Sequence, residues 1–359
     1  MPSFETVTSD SPHAEAQSGT TPHAIPSAWG ARPGETPRAN TIAVLLPCYN
    51  EEATIADVVT GFRAALPSAE VYVYDNNSTD RTIAEAERAG AIVRREMHQG
   101  KGNVVRRMFA DIDADIYLLA DGDGTYEPGS AGSLIDRTIR DNLDMVVGTR
   151  VGGGPDAYRR GHRFGNRMFN HLVAHLFGKN FSDILSGYRV FSRRFAKSFP
   201  AASNGFEIET EFSVHAIDIK LATAEIPLPY GERPSHSPSK LRTYRDGARI
   251  LWTILKMYRA LRPFRFYGFV AAVLALVSIL LALPVVDTYL ETGLVPRLPT
   301  AVLAASVMQL AFLSFVCGII IESVSNTRRE LKRMRYLDLP SLAASRRHVE
   351  RPAGPQQRG

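Results

Sequence analysis

Asp121 and Asp123 stand two residues apart at the end of an apolar run, DIYLLADGDGTY (115–126), with Gly122 between them and Gly124 after. Carboxylates at alternate positions of an extended chain point to opposite faces, so both can serve one ion only where the chain turns. The two glycines permit that turn. Hard oxygen ligands of this kind suit Mg2+ or Mn2+, which keep several waters and are often shared with substrate phosphates. The segment therefore reads as a clamp for a divalent ion and a diphosphate. An ordinary Asp-Gly turn has the same composition, so the surrounding chain has to decide.

The elements that would position these acids alternate in type. Strand-like runs occupy 42–47, 70–75, 91–95, 115–121 and 144–150, with helical periodicity between them, as in 52–66. Such alternation predicts a mainly parallel sheet covered by helices, with ligands at the carboxyl ends of the strands. Polar residues cluster at those ends: Pro47, Tyr49, Asn50 and Glu51 after the first strand, Asp75, Asn76 and Asn77 after the second, Asp121 and Asp123 after the fourth, and Arg150 at the fifth. Lys101, in a Gly-Lys-Gly turn, could approach a diphosphate, although a lone Gly-Lys-Gly is also an ordinary loop.

The chain of 359 residues is 45% hydrophobic with a formal charge of +5, enough for a full core and too mild a charge to suggest nucleic acid as a partner. Two runs, 266–286 and 300–324, are nearly chargeless and exceed the roughly 20 residues needed to cross a bilayer. They predict transmembrane helices at about 264–286 and 300–324. Basic residues flank the pair: Lys256, Arg259, Arg262 and Arg265 before it, and Arg328, Arg329, Lys332, Arg333 and Arg335 after it. The connector 287–299 holds Asp287, Glu291 and only one Arg. The positive-inside rule then leaves both termini and the catalytic domain on the cytoplasmic face of an inner or plasma membrane. Residues 241–263 mix Ile250, Leu251, Ile254 and Trp252 with basic positions and read as an interfacial helix, with packing in a soluble core as the alternative. Residues 1–38, rich in Pro, Ser, Gly and Thr, read as a disordered leader, 39–240 as the catalytic domain and 326–359 as a basic cytoplasmic tail. The two cysteines, Cys48 and Cys317, suggest neither a disulfide framework nor a zinc site.

Taken in order, PCYNEE, VYDNNSTD, HQGKGNVVR, DGDGTY, DILSGYRVFSRRF and the later PSKLRTYRDG resemble glycosyltransferase family 2. The resemblance is nearest to its polyprenyl-phosphate sugar synthases, such as dolichol-phosphate mannose synthase and the bacterial undecaprenyl-phosphate glucosyltransferases. It covers about 42–249, and the apolar hairpin resembles that of bacterial members with two such helices. It implies a GT-A fold, the Rossmann-like nucleotide-diphospho-sugar transferase type of α/β domain, with Mg2+ or Mn2+ as cofactor. It also implies inverting transfer of a sugar from a UDP- or GDP-linked donor to a polyprenyl phosphate, and a homo-oligomer, a tetramer being one such assembly. Carried over by position, Pro47, Tyr49, Glu51 and Asp75 would hold the nucleoside, with Lys101 near the diphosphate. Asp121 and Asp123 would hold metal and diphosphate. Mannose synthases tend to carry a Gln two places after the second aspartate as a further metal ligand, where this chain has Thr125.

A lipid monophosphate is a dianion near neutral pH, its second pKa being about 6, and so is already a nucleophile. What the site then needs is cations that hold it beside the anomeric carbon. The candidates are Arg150, Arg163, Arg167, Arg189, Arg233 and Lys240; the resemblance supports Arg150, Arg233 and Lys240, whereas Arg163 and Arg167 would equally suit a basic face against anionic lipid. Asp183 resembles the aspartate proposed as the base in bacterial members, although an aspartate there would also cap the turn before SGYR or pair with Arg189. Glu207, Glu209 and Glu211 alternate in GFEIETEF, with Glu207 and Glu211 on one helical face; they read as a solvated face, the alternative being that one of them orients the acceptor or a basic residue. Two other functions fit parts of the pattern: a processive polysaccharide synthase, whose QxxRW motif and further spans are not seen here, and a non-enzymatic membrane scaffold, which leaves the strand-end acids without a purpose.

Overall fold

The computed structural model describes residues 40–151, 181–229 and 243–345. Arg163, Arg167, Arg233 and Lys240, and the leader 1–38, lie outside them.

Apolar runs that alternate between faces build the sheet. β1 (Ile42–Cys48), β2 (Glu70–Asp75), β3 (Ile92–Arg95) and β4 (Ile116–Leu119) pair in parallel, with helices α1 (Ile55–Ala65), α2 (Thr82–Arg88) and α3 (Lys101–Asp111) as the crossovers. After α4 (Ala131–Arg140) come β5 (Met145–Val151), β6 (Arg189–Ser192), α5 (Arg193–Ser198), α6 (Ile208–Asp218) and β7 (Thr223–Pro229). The spatial order is β3-β2-β1-β4-β6-β5-β7, with β6 antiparallel to both neighbours. The expected mainly parallel, helix-covered sheet is therefore present. β6 and β7 were not foreseen: β6 has four residues, and β7 carries two prolines, which weaken a strand pattern.

Neighbouring residues on the strands feed different layers. Leu45, Tyr117, Leu119 and Val147 pack with α3, α5 and α6, where Phe109, Phe191, Phe195, Phe199 and Phe212 form a continuous aromatic cluster. Val44, Leu46, Leu118 and Val146 pack instead with Phe62 of α1 and with Leu134 and Ile135 of α4. A first strand buried on both faces explains why IAVLLP reads as a continuous apolar run rather than an alternating one.

His215 on α6 lies edge-on to the rings of Phe195 and Phe199, and neither of its ring nitrogens has a hydrogen-bond partner. Burial, with help from nearby Lys332 and against Asp218, pulls its pKa down to about 3. Between that value and the unfolded value of about 6.5, the unfolded chain binds a proton that the folded chain refuses, so stability falls as pH falls through that window. Going from pH 7.5 to 5.5 should cost about 1.4 kcal/mol at this residue, or roughly 3–5 °C in melting temperature for a domain of this size. His215→Leu should lack that increment in a thermal melt of the detergent-solubilised protein. Equal acid sensitivity in both proteins would show that the imidazole is not held neutral.

The remaining helices are α7 (Thr243–Leu261), α8 (Pro263–Thr292), α9 (Leu298–Leu337) and the short α10 (Leu342–Ser345). α8 and α9 are long and apolar enough to cross a membrane, with mean hydropathies of 2.9 and 2.2 over their most apolar windows. Those windows are only 11% and 17% buried, which a core helix of a soluble protein would not be. The two pack along a seam of small residues at heptad spacing, Ala271 and Ser278 against Ala304, Ala311, Gly318 and Ser325. A side chain at Gly318 would meet Tyr267 at 3.1 Å, and Ser278 Oγ donates to the Ala304 carbonyl at 2.7 Å. Small residues let backbones approach, and serine satisfies itself across the gap.

Three boundaries differ from the sequence reading. α8 continues to Thr292, where Gly293 (φ +67°) ends it, so Asp287 and Glu291 sit on its last turns rather than in a connector beginning at 287. The link to α9 is correspondingly short. The basic tail read from 326 is helical at its start: α9 runs on to Leu337 and packs on α5. Of the described side chains of α7, Ile254 is fully buried in the core whereas Leu251, Trp252 and Leu255 are exposed, leaving a second apolar face open.

Candidate functional site

The carboxyl ends of β1, β2, β4 and β5 surround a cavity of about 670 Å³ lined by Pro47, Tyr49, Glu51, Lys101, Asp121, Asp123 and Arg150, among others. Seven of the residues singled out from sequence are thus brought to one place. Asp75 lies just outside the lining, at the end of β2; it is 2% exposed, Oδ2 accepts from the Ser78 amide at 3.2 Å, and Oδ1 has no hydrogen-bond partner.

Loops hold this edge together. Asn50, in the left-handed region at φ 52°, accepts from the Thr79 amide at 2.8 Å, and Ser78 accepts from the Asn50 amide at 2.9 Å. The Glu51 amide donates to Thr82 Oγ1 at 2.8 Å, so the loop after β1 is fastened to the loop after β2. Asn76 reaches the third loop: its amide donates to the carbonyls of Glu96 and His98, and its oxygen accepts from the Gly100 amide at 2.7 Å. These bonds set the start of α3 and hence Lys101. Asn76 has no ionisable group, and nothing in the sequence marked it as the pin for a segment more than twenty residues away.

At the end of β4 the chain turns as the glycines allow. Gly124 takes φ +74°, and a side chain at Gly122 would meet Cys48 Sγ at 2.5 Å. Thr54 Oγ1 donates to the Gly122 carbonyl at 2.8 Å. Asp123 is 2% exposed, and its Oδ1 accepts from both the hydroxyl (2.6 Å) and the amide (3.2 Å) of Thr125. Thr125, noted as a departure from the mannose synthase pattern, is therefore an orienter of Asp123.

Asp121 meets the Lys101 ammonium, which also contacts Glu209 Oε1 at 2.5 Å. Burial alone would pull Lys101 down, but Asp121 and Glu209 outweigh it and hold the ammonium above its usual range. Burial raises the Glu209 carboxyl, with Lys101 opposing, and Glu209 Oε2 has no hydrogen-bond partner. The reading of Glu207, Glu209 and Glu211 as a solvated face is corrected here. Glu209 and Glu211 are 4% and 7% exposed, Glu207 and Glu209 line the cavity, and Glu211 accepts from the amides of Ala202 and Ser203. Helical spacing showed that two of them share a face but could not show what covers it.

Arg150 lines the cavity, and Asp183 stands behind it. Nε and Nη2 of Arg150 donate to the two oxygens of Asp183 at 2.7 Å each, and the Arg150 amide lies 3.3 Å from Oδ2. Asp183 thus pairs with Arg150 rather than with Arg189. The placement of Arg189 among acceptor-binding cations is also corrected. It is fully buried; Nε donates to the Ser186 carbonyl at 2.8 Å, Nη2 to the Ile184 carbonyl at 2.7 Å and Nη1 to Ser213 Oγ at 3.0 Å. Burial pulls this guanidinium down to about 10. It holds the two carbonyls flanking Leu185 and so fixes the loop that presents Asp183. In the same loop Gly187 lies against the Asp121–Lys101 pair: a side chain there would meet Asp121 Oδ2 at 2.8 Å.

Among the described residues, the charged side chains lining the cavity are five acids (Glu51, Asp121, Asp123, Glu207, Glu209) and two bases (Lys101, Arg150). Against those side chains a diphosphate calls for a compensating cation. Among the described residues no three His, Cys, Asp or Glu side chains converge on one point as metal ligands. The donor set, two carboxylates in an acid-rich cavity, fits a hard divalent ion that takes its remaining ligands from phosphate and water.

A family model for glycosyl transferase family 2 matches residues 43–199. The glycosyltransferase AglJ of Haloferax volcanii is 34% identical across 84% of this chain and 100% of that protein. The dolichyl-phosphate hexose transferase of the same organism is 30% identical across 60% of this chain and 93% of its own length. Among solved structures, glucosyl-3-phosphoglycerate synthase of Mycobacterium tuberculosis, in complex with Mn2+, UDP and product, superposes with a TM-score of 0.51 at 24% identity, covering 64% of this chain and 86% of that one. The chain belongs to glycosyl transferase family 2. It is a glycosyltransferase with a GT-A-like catalytic domain, and its relatives bear out the resemblance to the polyprenyl-phosphate branch.

Proposed function

We propose that this enzyme transfers a sugar, with inversion, from a nucleoside-diphosphate donor to a polyprenyl phosphate at a membrane surface. The observation that carries the reading is an acid-rich cavity at the strand ends, suited to a metal-bound diphosphate, in the same folded unit as a hairpin long enough to span a bilayer, joined to it by α7 with Leu251, Trp252 and Leu255 exposed. An acceptor confined to the membrane explains why one chain needs both. Relatives named for dolichyl-phosphate transfer support the lipid, and the neighbour that binds UDP and Mn2+ supports the donor and the ion.

On this reading Asp121 and Asp123 would hold a Mg2+ or Mn2+ ion beside the donor diphosphate, and such an ion would supply the positive charge that a diphosphate leaving group requires. Pro47, Tyr49 and Glu51 border the nucleoside, and the unpartnered Oδ1 of Asp75 is an acceptor for a base N–H. Lys101, shared between Asp121 and Glu209, stands beside the diphosphate. Arg150, squared up by Asp183, receives the acceptor phosphate. An oxygen of that phosphate attacks the anomeric carbon as the bond to the diphosphate breaks, and no proton need move because the acceptor is already a dianion. Catalysis is then positioning and charge stabilisation. The catalytic domain and both termini share the cytoplasmic side, by the distribution of Lys and Arg.

The test is incubation of the enzyme in lipid nanodiscs with polyprenyl phosphate and a panel of labelled UDP- and GDP-sugars. A lipid-linked monosaccharide is expected from one of them. A polymer, or release of free sugar with no lipid product, would contradict the proposal.

A further inference from the structure

We propose that the part of α9 beyond its apolar stretch is a strut that fixes the catalytic domain in one orientation relative to the hairpin, with Arg329 and Tyr336 of α9 and Asp218 and Asp144 of the domain as positioning residues. The apolar stretch ends near Val324, yet the helix continues to Leu337 with no Gly or Pro after Gly318. The last twelve residues to Tyr336 span about 18 Å at 1.5 Å per residue, too long a rigid segment for a tail that merely balances lipid charge.

Each turn of this extension is bonded to the catalytic unit. Ser325 Oγ donates to the Ala260 carbonyl at 2.9 Å and Arg329 Nη2 to the Leu261 carbonyl at 3.2 Å, which binds α9 to the end of α7. Arg329 Nε and Lys332 Nζ then reach Asp218 at 2.8 and 3.2 Å. The Tyr336 hydroxyl donates to Asp144 Oδ2 at 2.8 Å, while the Arg194 guanidinium lies 4.5 Å from the centre of the Tyr336 ring and 3.3 Å from Asp144 Oδ1. The Asp218 and Asp144 side chains are 3% and 2% exposed. Buried pairs of this kind are weak arguments for stability but good ones for a specified geometry: a misdocked helix would leave Asp218 buried without its two cations, whereas Asp144 would keep Ser192 and Arg194 and lose only the Tyr336 hydroxyl.

The two aspartates sit on elements that lead to the cavity. Asp218 is the last residue of α6, whose first turn carries Glu209; Asp144 immediately precedes β5, whose carboxyl end carries Arg150. The helix that runs on from the apolar hairpin is therefore bonded to the far ends of two elements that line the site. The consequence for the reaction rests on the acceptor being a membrane lipid, as proposed above: the strut sets where Arg150 stands relative to the bilayer surface.

The experiment compares wild type with Tyr336→Phe/Asp218→Asn and with the milder Tyr336→Phe alone, all full-length in nanodiscs. Three quantities are read: nucleotide affinity, kcat/KM with a long-chain polyprenyl phosphate embedded in the bilayer, and kcat/KM with a two-isoprene phosphate added from water. About a tenfold loss with the embedded acceptor is expected in the double variant, with the soluble acceptor and nucleotide affinity within twofold of wild type. Equal losses with both acceptors would mean a merely structural role, and no loss with the embedded one would mean no role; either overturns the strut. Should wild type use neither acceptor, the lipid reading itself fails, and amide hydrogen exchange decides the docking separately. Faster exchange across 208–218 and 326–337 in the variants supports it, and unchanged exchange overturns it.

Discussion

Asp123→Ala and Asp121→Ala should each lower turnover roughly a thousandfold, the kinetic equivalent of about 4 kcal/mol, because either change removes a ligand of the ion that balances the leaving diphosphate. The two need not be equal in stability. Asp123 accepts two hydrogen bonds from Thr125 in a buried setting, so alanine there leaves two donors without an acceptor and should cost about 1–3 kcal/mol in folding. Asp121 is more exposed, and its loss leaves Lys101 still paired with Glu209. Asp123→Asn, which keeps the shape and one acceptor oxygen, separates chemistry from folding: it should melt close to wild type yet stay nearly inactive. Initial rates with and without excess chelator, beside melting curves, check this. Activity that persists in chelator, or near-normal rates in both aspartate variants, would sink the metal assignment.

How far the sequence revealed this site depended on whether a residue's partners were local. The strand-end acids were legible because an apolar run that stops at Asp121-Gly122-Asp123-Gly124 places its carboxylates by chain geometry alone. That the first four strands would pair in parallel under helices followed from alternating periodicity in the same way. Arg189 shows the opposite case. It sits in the same short segment as Asp183, so proximity in sequence suggested a pair, but β6 turns Arg189 into the core while the loop before it leaves Asp183 against Arg150, 33 residues away. Glu209 looked solvated because helical spacing reports which residues share a face and not what the face meets; its partner Lys101 is more than a hundred positions distant. Arg329 and Lys332 were legible only as basic charge flanking the apolar pair, and their contact with Asp218, 111 and 114 residues before them, was not. The misread ionisable residues are those whose counter-charge comes from a different layer of the fold.

Asp183→Asn gives the sharpest test of how transfer proceeds. Both carboxylate oxygens of Asp183 accept from the Arg150 guanidinium at 2.7 Å, and Asp183 stands behind Arg150 rather than in the cavity lining. A general base must reach the proton it removes, and this carboxylate is engaged by a permanent cation instead. Its role is to square the guanidinium towards the acceptor phosphate. The asparagine variant keeps one acceptor oxygen but loses the charge-assisted pairing, worth about 1.5–3 kcal/mol, so kcat/KM for the acceptor should fall roughly ten- to a hundredfold. Arg150→Ala, which removes the phosphate contact itself, should fall further, with nucleotide affinity little changed in either. Because the group that titrates in this range is the acceptor, with its second pKa near 6, wild type and Asp183→Asn should follow parallel profiles between about pH 6 and 8.5. A base would behave otherwise: its loss would be deepest near neutrality and would shrink as rising pH completed ionisation of the acceptor. Strong recovery of the variant alone at the alkaline end would therefore return Asp183 to the role of base and leave the Arg150 pair as a resting arrangement that breaks when substrate binds.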